Sequence, residues 1–366
     1  MNSSDPAPWK MLFPAPPPAS DTLTLRLRLV RKHGHPLLLV PINGGSIAEA
    51  LALYPAQTRL AKIARMLLRV GLPVGFAPGT EPLTLPCDRR APLLQFLQSS
   101  QDDWICFAIL CGNPRVPGRR FILLTFDRRG RPEKIVKVGV GEIANARTRA
   151  EAAFLKSIAA DVLHAPHIIG EFREGDLEAL AFQYAPGKNP SQNDIEPLAS
   201  LLTSWLDTNR RARLADLPAW QRLSAGCRGH DLFRRLETTL GSAELHPAIH
   251  HGDFAPWNVR VHPVTRRWTV LDWERGEAAG PPGWDWFHFV IQSELLVRRA
   301  PPRTIGARVE ALLRSPAFQA YATAAGIESV SRPLVLAYLL HFVEVTPPAE
   351  GAEPARELLH HLAHQW

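Results

Sequence analysis

His250-His251-Gly252-Asp253-Phe254-Ala255-Pro256-Trp257-Asn258, followed after a short hairpin by Trp268-Thr269-Val270-Leu271-Asp272-Trp273-Glu274, decides how this chain is read. Asp253 and Asn258, five residues apart, converge on one point if their loop curls. Asp272 ends the next strand, fourteen residues beyond the asparagine, where it can face both. Phosphoryl transfer needs such a trio. One carboxylate orients a hydroxyl nucleophile and accepts its proton, while an amide oxygen and a second carboxylate hold Mg²⁺ against the phosphates. Apolar neighbours exclude water and strengthen each charge interaction. A lone His-Gly-Asp is a common turn; the Asp-to-Asn spacing with a strand-borne Asp beyond it is rarer. A competing chemistry is a metal-hydrolase cluster of His246, His250, His251, Asp253 and His262. Adjacent histidines on an extended segment point to opposite faces, which counts against it.

On these residues the chain resembles the aminoglycoside phosphotransferase and choline kinase family, the small-molecule branch of the protein-kinase-like fold, over about residues 101–300. The resemblance implies an α+β bilobal fold with a small antiparallel β lobe, a larger helical lobe and, here, an N-terminal α+β extension. It makes Asp253 the catalytic base, with His251 shaping the catalytic loop, and Asn258 and Asp272 the metal ligands. Asp285, in Gly283-Trp284-Asp285, fits the position of a brace for that loop. The implied cofactors are ATP and Mg²⁺, and the implied activity moves a γ-phosphate to a small-molecule hydroxyl acceptor: a sugar, amino alcohol, aminoglycoside or glycan precursor. Twelve residues separate Asp272 from Asp285, too few for a long activation loop, so a protein substrate is disfavoured. Trp257, Trp273, Trp284 and Trp286 suit either packing or stacking on a sugar face.

The N-terminal half carries candidate nucleotide contacts. Lys137 lies between β-branched Val136 and Val138, and a compact ammonium suits contact with phosphates. Glu151, with Leu155 and Ile158, falls on the apolar face of the next helix, where a buried glutamate needs a cation such as Lys137. The plain alternatives are a solvated lysine like Lys134 and a helix charge pairing with Arg147. Ala181–Gly187 looks like the family's hinge between lobes, which makes the Gln183 carbonyl and Ala185 amide the adenine contacts; an ordinary turn is the alternative. The segment Gly112–Arg119, where a phosphate-covering loop belongs, has two prolines and few free amides, so Arg115 or Arg119 is expected to contact phosphate instead. No Gly-x-x-x-x-Gly-Lys-Ser/Thr occurs, which excludes a P-loop enzyme.

Composition frames the rest. The 366 residues suggest two or three units, and 46% hydrophobic with 21% charged residues describes a globular chain. The net charge of +7 comes from residues 1–189, with 24 basic against 16 acidic; residues 190–366 hold 18 against 19. No basic stripe interleaves with aromatics, so nucleic acid is not an expected partner. Four cysteines without CxxC spacing indicate reduced thiols, the N-terminus lacks a signal peptide, and no apolar run spans a bilayer, so a cytoplasmic protein is expected. Residues 1–20, with six prolines, read as a disordered lead-in. Residues 21–100 read as an accessory α+β module: alternating Leu23–Leu29, a turn at His33–Pro36, a run Leu37–Ile42, and helices Ser46–Tyr54 and Thr58–Val70. Its apolar faces are expected to dock on the body or a second subunit, leaving Arg59, Lys62, Arg65 and Arg69 outward. Residues 101–187 read as the β lobe and 188–366 as the helical lobe. The reading from a different class is a catalytically inactive pseudokinase serving as a binding or assembly module.

Overall fold

The computed structural model describes residues 7–42, 44–54, 59–72, 79–98, 104–112, 118–191, 194–346 and 351–366. The chain divides into two units, one of 1–152 with 166–185 and one of 153–165 with 186–366. The class is α+β, with a large antiparallel sheet in the first unit and a mainly helical second.

In chain order the first unit holds β1 (Thr22–Lys32), β2 (His35–Pro41), α1 (Gly44–Ala50), α2 (Arg59–Gly71), β3 (Thr80–Asp88), α3 (Pro92–Leu97), β4 (Phe107–Cys111), β5 (Arg119–Phe126), β6 (Pro132–Val140) and the start of α4 (Glu142–Ser157). α5 (Ala160–Leu163) follows in the second unit, and the chain returns for β7 (Ile168–Glu174) and β8 (Leu177–Gln183). All eight strands form one sheet in the order β3-β1-β2-β4-β5-β6-β8-β7. The expected separate module at 21–100 is therefore corrected, because its three strands continue this sheet. Leu38 pairs with Leu110 and Leu39 with Ile109. The sequence contains the reason: Leu38, Leu39 and Val40 are all fully buried, so β2 has no wet face and must be covered on both sides. The β1–β2 turn is tight because His33 (φ 50°) and Gly34 (φ 82°) are both left-handed, as a two-residue hairpin turn requires.

Each sheet face has its own core. One joins Leu27, Leu29, Leu39, Phe107, Phe121 and Val138 to α3; the other joins Val30, Leu38, Val40 and Phe126 to α1 and α2. Residues 7–20 are not the expected disordered lead-in. A short turn at Pro8–Met11 seats Trp9, Leu12 and Phe13 in the first core, and Phe13 stacks on Phe107 with ring centroids 5.4 Å apart. Three large apolar side chains outweigh the prolines between them. Helix α2 also differs from expectation. It seats Leu68 on the core yet exposes Ile63, Met66, Leu67 and Val70 beside Arg69; the side chains of Arg59 and Lys62 lie outside the described residues. Strand β7, not anticipated from the sequence, is the sheet edge, where alternate residues face water and the apolar signal is weak.

The second unit runs α6 (Ile195–Ser204), β9 (Ala212–Arg213), α7 (Pro218–Cys227), α8 (Asp231–Leu240), β10 (Glu244–Leu245), β11 (Ala248–His250), β12 (Val259–Val261), β13 (Trp268–Val270), β14 (Glu277–Gly280), α9 (Trp284–Gln292), α10 (Pro302–Arg314), α11 (Pro316–Ala325), α12 (Ser331–Glu344) and α13 (Ala352–Gln365). Helices α9 and α12 are buried on nearly every side and form its centre. Short two-stranded ribbons β11–β14 and β12–β13 present the candidate loop. At its entry Gly187 (φ 147°) passes so close to β12 that a Cβ would meet the Val261 carbonyl at 2.5 Å, and only glycine lets Lys188 pair with Val261 there. Among the described residues, no helix is long and apolar enough to cross a membrane.

Candidate active site

The loop after β11 is irregular backbone held by side chains. Gly252 adopts φ 78°, and a Cβ there would strike the backbone and Cβ of Arg275 at 2.9–3.0 Å, so glycine is required twice over. Asp285, at the start of α9, accepts the His251 amide on Oδ2 at 2.7 Å and the Gly252 amide on Oδ1 at 3.2 Å. Asp285 thus holds the two amides that lead into Asp253, at the position where the resemblance implied a brace. Fully buried His251 then ties two loops together. Its Nδ1 accepts the Asp253 amide at 3.2 Å, so the proton sits on Nε2, which donates to the Leu271 carbonyl at 2.8 Å. Burial pushes the His251 pKa down, which keeps this neutral tautomer.

A return bond closes the arrangement, from the Leu271 amide to the Asn258 carbonyl at 2.7 Å. The end of β13 is thereby fastened to the loop after β11. Asp272, the next residue, has φ 68°, a left-handed conformation that costs about 1–2 kcal/mol outside glycine. Such strain persists where the surroundings over-determine it. The Asn258 Nδ2 donates to the Asp253 carbonyl at 2.8 Å and to Asp253 Oδ2 at 3.1 Å. The amide nitrogen of Asn258 is thus turned to Asp253. Oxygen donors only, from Asn258 and Asp272, fit a hard divalent cation such as Mg²⁺.

Asp253 is partly exposed, and its charge lies within range of that on Asp272. Burial acts to raise its pKa, but the hydrogen bond and electrostatics of His288, with those of His251, outweigh it and hold the carboxyl below its ordinary value. Asp253 is thereby kept ionised. The His288 contact, from Nε2 to Oδ1 at 3.1 Å, was not read from the sequence. His288 lies three residues past Asp285 on the same helix, one turn along the face that meets the loop, and that spacing was the available signal. The histidines of the competing cluster go elsewhere. His250 faces Asp285 at 3.6 Å, His246 lies 2.8 Å from the Arg210 carbonyl, and His262 Nδ1 accepts the Val264 and Thr265 amides. Trp273, Trp284 and Trp286 are at most 1% exposed and serve as packing; Trp273 covers His251 with ring centroids 4.6 Å apart.

In the first unit Lys137 Nζ meets Glu151 Oε1 at 2.6 Å, with Glu151 only 2% exposed. The ammonium also lies 5.4 Å from the centre of the Phe182 ring. Lys134, by contrast, is engaged with the Phe96 and Gln98 carbonyls. Gln183 ends β8 with its amide on the His167 carbonyl at 3.0 Å, and Ala185 is the last residue of the unit. Arg119 does not share a sheet face with Lys137. Ile122 stands opposite Lys137, so alternation puts Arg119 on the other sheet face, where its guanidinium lies over Phe121. Arg115 and the rest of 113–117 lie outside the described residues.

Comparison with known proteins yields no matching family model and no match among curated proteins. Solved structures give likenesses at low identity. The chain is similar to an ethanolamine kinase from Plasmodium vivax, with 10% identity over 91% of this chain and 95% of that one, at a TM-score of 0.48. It is similar to an aminoglycoside phosphotransferase solved with ADP and hygromycin B, with 13% identity over 74% and 96% and a TM-score of 0.47. The choline kinase LicA from Streptococcus pneumoniae matches with 10% identity over 67% and 90%, at 0.43.

Proposed function

We propose that this protein is a Mg²⁺- and ATP-dependent phosphotransferase acting on a hydroxyl of a small molecule. The observation that carries the reading is the double fastening of the two loops, His251 to Leu271 and Leu271 to Asn258, which gathers Asp253, Asn258 and Asp272. Asp253 orients the acceptor hydroxyl and takes its proton as the acceptor oxygen bonds to the γ-phosphorus and the bond to the ADP oxygen breaks. Asn258 Oδ1 and Asp272 would hold Mg²⁺, which when bound neutralises charge on the phosphates. Lys137, positioned by Glu151, contacts the α and β phosphates, and the backbone of Gln183 and Ala185 meets the adenine edge. His251 and Asp285 keep the loop in shape and touch no substrate. The intact set of Lys137, Asp253, Asn258 and Asp272 supports an enzyme over a pseudokinase. Four buried cysteines that form no disulfide fit a reducing compartment, and we place the protein in the cytoplasm.

Thermal shift with ATP, with and without Mg²⁺, followed by a screen of hydroxyl acceptors with γ-labelled ATP, tests the reading. A Mg²⁺-dependent rise in melting temperature and label on an alcohol are expected. No nucleotide binding under either condition would overturn it.

A further inference from the structure

Asp253 has two carboxylate oxygens, and both are held by side chains: Oδ2 by Asn258, and Oδ1 by His288. The second donor is itself fixed. His288 is 4% exposed, and its Nδ1 lies 3.0 Å from the hydroxyl of Tyr338 on α12. Its ring stands edge-on to Tyr338 and Phe342, with centroids 5.9 and 5.8 Å away, so these walls oppose rotation of the imidazole. The Tyr338 phenol is fully buried and burial pushes its pKa up, so it remains an O–H donor. A phenol donating to Nδ1 leaves the imidazole proton on Nε2, where it points at Asp253.

We propose that His288, locked in its Nε2–H tautomer by Tyr338, is the positioning residue that aims the Asp253 carboxylate. This rests on the reading of Asp253 as the base. His288 touches no reacting atom. Its work is to hold one oxygen of the carboxylate so that the other edge meets the acceptor in a single orientation. A carboxylate free to rotate about its χ2 spends less time in a productive geometry. The arrangement resembles in logic any buried group whose partner sets its tautomer and direction, and loss of such a partner commonly costs 10–100-fold.

Two measurements decide it. The first is ¹⁵N NMR of the histidine-labelled full chain without ligand. It should show His288 neutral with the proton on Nε2, and Tyr338→Phe should release a mixture of tautomers. A proton on Nδ1 in the wild type, or no change in Tyr338→Phe, overturns the lock whatever the activity proves to be. The second uses Mg²⁺-ATP with water as the acceptor. His288→Leu should lower kcat about 10–100-fold with KM for ATP within about twofold. His288→Gln, which restores an N–H donor, should recover most of that loss. In an Asp253→Asn background His288→Leu should add almost nothing, because it acts through Asp253. Equal losses in both backgrounds, from proteins that stay folded by circular dichroism, would overturn the positioning role. An Asp253→Asn protein as active as wild type would instead fail the reading of the base, while the NMR result still judges the lock.

Discussion

The two units hold a carboxylate in different ways. In the sheet unit Glu151 is met by a full positive charge, Lys137, projecting from a regular strand. In the helical unit Asp253 is met by a histidine and an amide, on backbone with almost no ladder of its own. The ion pair satisfies its own charge, so Glu151 is spoken for and its role is to fix Lys137 in place. With His288 in the proposed Nε2–H tautomer, the two donors direct Asp253 without cancelling it, which leaves the negative charge available to a proton. A carboxylate that must react is better held by dipoles than by a cation. The cost is structural. The regular strand needs one partner, whereas the loop needs Asp285, His251, Asn258 and His288 together.

The largest expected effect breaks the sheet unit outright. Deleting residues 1–100 removes β1, β2 and β3, bares the β4 edge and takes away more than half of each core. The truncated chain should be insoluble or lack a cooperative melting transition, and a soluble protein with unchanged melting temperature would show that the three strands are dispensable. Next is the ion pair. Lys137→Met takes the Lys137 cation away from buried Glu151 and should cost about 3–5 kcal/mol in denaturant unfolding. Lys137→Met with Glu151→Leu should cost less than the single change, since no buried charge remains; an equal or larger loss in the double variant would contradict the pairing account.

On the other side of the comparison, the helical unit carries buried neutral histidines. Burial first, then His250, Arg222 and Arg275, pull His341 from the ordinary 6.5 down to about 3. Between these values the unfolded chain binds a proton that the native chain does not, so stability falls as pH drops from about 6.5 towards 3. The slope from this one group is at most about 1.4 kcal/mol per pH unit, and His341→Gln should flatten it. Urea midpoints measured from pH 7 to 4 check this, and identical slopes would contradict it. Smaller still is Asp285→Asn, which can satisfy only one of the two loop amides by its remaining oxygen. A loss of about 1–3 kcal/mol is expected, read as a lower chemical denaturation midpoint.

How far the sequence carried this account depends on range. Asp253, Asn258, Asp272 and Asp285 were legible because they lie on one short stretch, where spacing stands for geometry. Lys137 with Glu151 was legible because strand alternation and the helical period each aim one side chain inward. His288 was half legible, being one turn beyond Asp285. Tyr338 was not, since its position opposite His288 is set by how α12 packs on α9, fifty residues away. The merging of residues 21–100 into the main sheet was also missed. Its sign was present in Leu37–Val40, an apolar run without alternation, which describes a central strand rather than a module's edge. Trp9, Leu12 and Phe13 were hidden by the prolines around them, because composition weighs a segment by its majority and burial by its few large side chains.

The most direct test separates the two carboxylates of the loop pair. Asp253→Asn and Asp272→Ala are compared for Mg²⁺-dependent ATP binding by calorimetry and for turnover of Mg²⁺-ATP. Asp253→Asn should bind ATP as the wild type does and turn over about 10²–10⁴-fold more slowly. Asp272→Ala should lose the Mg²⁺-dependent part of binding itself. Mild, equal effects on both quantities from both variants would contradict the division of labour between the base and the metal-holding carboxylate.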